Sequence, residues 1–139
     1  MSLAAARATL RKLRTHDVIA TMRARGERLI DGVRERITRH GVDSFLSISG
    51  QPAWSFLIMK DTPHATQWQT KTLFMQEIFE RGILAFGTHN ISFAHSVADI
   101  DQLLAVYDEV FPILRAGAID GRIDELLRCK PLVPLFRLR

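Results

Sequence analysis

The clearest pattern along the chain is a hydrophobic period of helical type near its C-terminal end. Ile100, Leu103, Leu104, Tyr107, Phe111 and Leu114 recur at the spacing of one helix face, as expected of a helix that buries a single stripe. Ser96 followed by Asp99 spells a capping box at its start, and Gly117 is expected to break it. A second such period runs from Asp17, a plausible N-cap, to about His40, with Gly41 as its stop. Ile19, Met22, Ile30, Val33 and Ile37 form its apolar stripe, while Glu35 and Arg39 face water one turn apart. Gly26 and Gly32 each weaken this helix by ~1 kcal/mol relative to Ala, so it must lean on tertiary contacts. Ahead of it, residues 3–14 are rich in Ala, Leu and Arg, all good helix formers.

Between these helices the period shortens. Residues 44–49 and 54–59 are β-type runs separated by Gly50-Gln51-Pro52, and they read as neighbouring antiparallel strands. A helix is expected over residues 65–81, carrying Trp68, Phe74, Met75, Ile78 and Phe79 and closed by Gly82. Residues 83–86 and 91–94 read as two further strands joined by a turn at 87–90. A short helix near residues 120–128 and an extended tail over 131–139 complete the chain. The expected fold is α+β: a small, mostly antiparallel sheet with helices packed on one face, preceded by a long N-terminal helical segment. Three parts follow: 1–14, 15–116, and 117–139.

Composition narrows the function classes. At 139 residues, 47% hydrophobic and 24% charged, the chain fits one ordinary globular domain and not a disordered one. The single Cys129 permits no internal disulfide. No run approaches the ~18 apolar residues of a spanning helix, and the N-terminus lacks the apolar core of a secretion signal. A cytoplasmic protein without a membrane partner is expected. Residues 1–40 hold ten Lys/Arg against four Asp/Glu, a local +6 within a total of +4. Such a segment can bind nucleic acid, but a solvated face, or pairing with another domain, is the simpler account. No nucleic-acid partner is expected, and a free-standing basic module binding RNA, DNA or an acidic protein is the alternative.

The residues alone assemble no catalytic constellation. His16, His40, His64, His89 and His95 show no His-x-x-x-His pairing and there is no Cys-x-x-Cys, so no metal site is expected. Cys129 has no nearby histidine to make it a nucleophile. Neither a Gly-x-Ser-x-Gly elbow nor a glycine-rich phosphate loop occurs. Lys12, Lys60, Lys71 and Lys130 all read as solvated surface residues, whereas a Schiff-base lysine must be buried or otherwise tuned.

The run FMQEIFERGILAFGTHNISFAHSVADIDQLLAVYDEVFPIL, residues 74–114, resembles the last part of class III pyridoxal-phosphate aminotransferases. In that family a helix ending in Glu-Arg-Gly is followed by a strand, a variable loop, a second strand and an Asp-Ile-Asp helix. Ile91 to Ser96, with Asp99-Ile100-Asp101 after them, are most similar to the glutamate-1-semialdehyde aminomutase branch. Upstream, AAARATLRKL and MRARGERLIDGVRERITRHGV resemble the family's linking helix and the first helix of its small domain, and SISGQPAWSFLIMKD its strand pair. The resemblance covers residues 4–114 and rests on the order of many moderate matches.

The resemblance implies the C-terminal small domain of a fold-type I pyridoxal-phosphate enzyme, a transferase or isomerase. In the parent, pyridoxal 5'-phosphate, its aspartate and its Schiff-base lysine belong to a large domain lying before residue 1. This chain is then a fragment, inactive alone and with no cofactor bound to it. Its partners are that N-terminal large domain and a second copy in a homodimer. No residue here is assigned a catalytic role, and Thr88, His89, Asn90 and Ser92 are the expected substrate-binding positions in the parent. An ordinary turn over 87–90 is the plain alternative. Two departures bear on substrate. Ser92 stands where ornithine- and GABA-type members carry an arginine that grips a carboxylate, which favours the aminomutase-like branch. The loop at 87–90 is shorter than the usual aminomutase segment, so an aminotransferase with another amino acceptor fits equally.

Overall fold

In the computed structural model, which describes residues 2–134, the chain runs α1 (Ser2–Thr15), α2 (Val18–Arg39), β1 (Leu46–Gln51), β2 (Trp54–Met59), α3 (Gln67–Glu80), β3 (Thr88–Asn90), α4 (Val97–Ala118) and α5 (Ile123–Leu126). The fold is α+β, with a three-stranded antiparallel sheet in the order β1-β2-β3. Alternation along the strands decides which face is covered. Leu46, Ile48, Leu57 and Met59 point to the side of the helices and join the core, with Leu46 opposite Met59 and Ile48 opposite Leu57. Trp54, Phe56 and Ile58 occupy the other face, where Trp54 and Ile58 are exposed.

The core lies between that covered face and helices α2, α3 and α4. Leu29 and Val33 of α2, Leu73 and Phe74 of α3, and Tyr107, Phe111 and Leu114 of α4 are fully buried. Tyr107 stacks on Phe111 with ring centroids 5.1 Å apart. The expected α2 stripe needs one correction: Ile19 is exposed, while Val18 and Leu29 take the buried positions. Asp17 sits at the N-cap, but its side chain makes no capping bond. The glycines of α2 explain how it holds together. A Cβ on Gly26 would lie 1.8 Å from the Pro52 carbonyl oxygen, and one on Gly32 would lie 2.6 Å from Leu104. Both allow close approaches that repay the loss in helix propensity.

Much of the basic charge of α2 is neutralised within the fold. Asp108 on α4 accepts from Arg36 at 2.8 Å, Arg39 at 3.1 Å and His40 at 2.9 Å, and Arg28 pairs with Asp101 at 2.8 Å. Burial raises the Asp108 carboxyl, but the His40 hydrogen bond and the two guanidinium groups outweigh it and leave the group below its ordinary range.

Helix α3 begins at Gln67 because Thr66 and Gln69 form a reciprocal capping box that the sequence reading did not use. Helix α4 begins at the expected Ser96–Asp99 box, in which Asp99 N–H donates to Ser96 Oγ at 3.2 Å and Ser96 N–H to Asp99 Oδ2 at 2.7 Å. It does not break at Gly117. The backbone there is packed so closely that an added Cβ would lie 3.1 Å from Leu73 and from Ile123, and the helix runs on to Ala118. Helix α5 is only four residues long and contacts α3 and α4. Of the tail, Leu132 N–H donates to Thr72 Oγ1 at 2.8 Å, and residues 135–139 lie outside the described residues.

The largest correction concerns residues 83–94. The expected turn at 87–90 is the third strand, and the flanking runs expected to be strands are loops. Thr88, His89 and Asn90 pair with Phe56, Ser55 and Trp54. Bonds from Leu57 N–H to the Gly87 carbonyl (2.8 Å) and from Ile91 N–H to the Ala53 carbonyl (3.0 Å) bracket the pairing. The strand was hidden because its one inward residue is polar. Among the described residues, no helix is long and apolar enough to cross a membrane.

Candidate functional site

β3 and the loops on either side of it border an open pocket of about 730 Å³. Trp54 and Phe56 of β2 form one wall. Residues 83–86 form a second, where Leu84 is 80% and Phe86 56% exposed. Thr88, His89 and Asn90 contribute strand β3, and the first turns of α4 supply Asp99, Ile100, Gln102 and Leu103. His95 stands at the rim. The volume lies within the range of small-molecule sites, and the mostly apolar lining with a few convergent polar groups fits that class.

His89 anchors the site from beneath. The residue is only 4% exposed. Nδ1 lies 2.9 Å from Ser55 Oγ, and Nε2 lies 2.7 Å from Tyr107 Oη. A neutral imidazole donates from one nitrogen and accepts at the other, and two hydroxyls satisfy both. Burial pushes the His89 pKa down to about 4 and raises that of the Tyr107 hydroxyl, so the three-residue chain is uncharged at neutral pH. It ties β2, β3 and α4 together through buried polar groups, each of which has a partner.

The expected site residues therefore separate. Thr88, His89 and Asn90 converge on one pocket, though as a strand and with His89 turned inward. Ser92 is not in the wall: it is exposed in the following loop, where its N–H donates to His95 Nδ1 at 3.0 Å. Ser55 and Tyr107 went unrecognised in the sequence. Tyr107 lies in the apolar stripe of α4, and Ser55 shares its strand face with Leu57 and Met59; an inward serine or tyrosine needs a polar partner. Phe93, beside Ser92, collects cations: Lys12 Nζ lies 5.0 Å and Arg25 Cζ 5.8 Å from its ring centroid, and Arg25 also donates to its carbonyl at 2.9 Å.

The other candidate chemical groups lie apart from this pocket. Lys12, Lys60 and Lys130 are exposed and Lys71 is half-buried, and Cys129 is exposed. Among the described residues, no three His, Cys, Asp or Glu side chains gather in a cluster able to hold a metal ion.

Together these features define an α+β domain with one covered sheet face and a pocket at the edge of the other. No family model matches the chain, and no curated protein matches it. Among solved structures, the internal aldimine form of the pyridoxal-phosphate protein FumI from Sphingopyxis sp. MTA144 is similar, with a TM-score of 0.68 and 28% identity. The match covers 84% of this chain and 28% of that one, so the chain spans less than a third of the length of FumI.

Proposed function

We propose that this chain is a domain of a pyridoxal-phosphate-dependent enzyme, the C-terminal small domain of a class III aminotransferase or aminomutase. The observation that carries the reading is the similarity to FumI over most of this chain at 28% identity. The sequence resemblance over residues 4–114 points to the same kind of cofactor enzyme. In this reading the chain supplies a substrate-side wall built from Thr88, His89 and Asn90, and the larger domain supplies the cofactor. Pyridoxal phosphate, when bound there, provides the electron sink that lets an amino group be moved.

The residues of this chain do not themselves fit a cofactor site. None of the four lysines is buried, and no glycine-rich phosphate loop is present. The role left to the chain is to bind, orient and exclude water. The uncovered sheet face supports a larger partner body: Trp54, Ile58, Leu84 and Phe86 are exposed on or beside it, and a contiguous apolar patch of that kind marks an interaction surface. The alternative of a free-standing basic module is disfavoured by the arginines of α2, since Arg28, Arg34, Arg36 and Arg39 are all engaged by carboxylates of the same chain. The proposed enzyme works in the cytoplasm as a homodimer.

The test is spectroscopic. The 139-residue chain incubated with pyridoxal phosphate is expected to show no protein-bound cofactor absorbance, and a polypeptide joining it to a lysine-bearing large domain is expected to show it. A borohydride-trapped adduct on Lys12, Lys60, Lys71 or Lys130, mapped by mass spectrometry, overturns the assignment.

A further inference from the structure

Past α5, residues 127–134 form neither helix nor strand, and they run along α3 as a strap held by its side chains. Gln76 brackets the strap with its amide: Nε2 donates to the Leu126 carbonyl at 3.0 Å, and Oε1 accepts from Arg128 N–H at 2.8 Å. Thr72 Oγ1 accepts from Leu132 N–H at 2.8 Å. The Arg128 guanidinium reaches Glu77 at 2.8 Å and Glu80 at 2.6 Å. Thr72, Gln76 and Glu80 succeed one another every fourth residue, so they line up along one side of the helix. An arrangement of this kind reads an extended main chain and a single guanidinium.

The two halves of this contact are separable. Glu77 is only 8% exposed, and a buried carboxylate stripped of its partners is costly. Departure of the strap does not strip it, because Arg81 and Gln76 also donate to Glu77, each at 2.9 Å. The strap itself buries little: Arg128 to Val133 are exposed, and Pro131 keeps the residue before it extended. The core stays closed by the buried Ile123 of α5. We infer that α3 carries a docking site for an extended segment with one arginine, filled by the chain's own strap and open to the strap of a second copy. Residues 126–132 are the segment shown to fit, and a second copy brings the same segment. Exchange places Arg128 of one copy on Glu77 and Glu80 of the other. Tethering holds a copy's own strap at an effective concentration on the order of millimolar, so exchange requires that strap to be released. The inference is independent of the cofactor reading.

Two full-length chains separate the strap from the site. In the first, Arg128→Glu sets a carboxylate against Glu77 and Glu80, which releases the strap and opens the site; Cys129→Ser removes its thiol. In the second, Gln76→Ala with Glu80→Arg destroys the site and frees the strap, whose exposed Cys129 takes a fluorescent dye. Titrating the dyed chain with the open one is expected to raise the anisotropy of the dye saturably. Two controls are expected to bind about tenfold more weakly or less: the Cys129→Ser chain with its own strap in place, and the open chain with Gln76→Ala added. No saturable rise with the open chain overturns the inference. A control that binds as tightly as the open chain also overturns it. For the first control its own strap then does not hold the site, and for the second the dye then reports another contact. Where Arg128→Glu lowers the helical circular dichroism, Arg128→Ala takes its place and the same order of affinities is expected.

Discussion

Helices α1 and α4 both carry apolar residues at helical spacing but do not share an environment. α4 buries nine of its residues, Tyr107, Val110, Phe111 and Leu114 completely. α1 buries none, and its Leu3, Leu10 and Leu13 are 86%, 61% and 43% exposed. α1 meets the start of α2 and Phe93, against which Lys12 and, just past the helix, His16 are placed. A helical period states which residues share a face. Whether that face is covered depends on what the rest of the polypeptide brings to it. α4 is the spine of this domain, while the apolar stripe of α1 stays exposed among the described residues.

The contrast is open to measurement by urea unfolding. Phe111→Ala removes the ring stacked on Tyr107 and is expected to lower stability by about 3–5 kcal/mol; a loss below about 1 kcal/mol denies α4 its role. Acid is expected to strike α4 next, through its Tyr107–His89 bond. The folded pKa of His89 is about 4 against 6.5 for the free side chain, so the unfolded chain takes up the proton first. The stabilisation is complete above pH 6.5, declines between 6.5 and 4, and is fully lost below that, a change of roughly 3 kcal/mol. His89→Gln is expected to flatten that slope. Ser96→Ala, which removes the cap of α4, is expected to cost about 1 kcal/mol. Leu10→Ala on α1 is expected to stay within about 0.5 kcal/mol, and a larger effect means that α1 is packed after all.

Where side chains alternate or recur against a core, the sequence was a reliable guide: the β1–β2 pairing, the stripe and cap of α4, and Gly41 at φ +62 after α2. Local rules mislead where tertiary partners override them. Thr88-His89-Asn90 has the composition of a turn, but β2 offers it a ladder, and Ser55 and Tyr107 satisfy its buried imidazole. Gly117 has the look of a helix breaker but is needed for contact with Leu73 and Ile123. Half of the pocket was visible as a short polar stretch. The rest comes from Trp54, Phe86 and Leu103, which lie on three separate elements and meet only in the folded chain.

Bare backbone at position 26 has an effect that reaches across the sheet. The Pro52 carbonyl rests on α2 at the one place where a Cβ would collide with it, so the tip of the hairpin is pinned to the helix. Two residues later in the chain, Trp54 starts the strand that walls the pocket. A methyl group at 26 is expected to act as a wedge under that pin, shifting Pro52 and with it the start of the strand that carries Trp54 and Phe56. The pocket wall thus leans, through the hairpin tip, on a residue outside its lining.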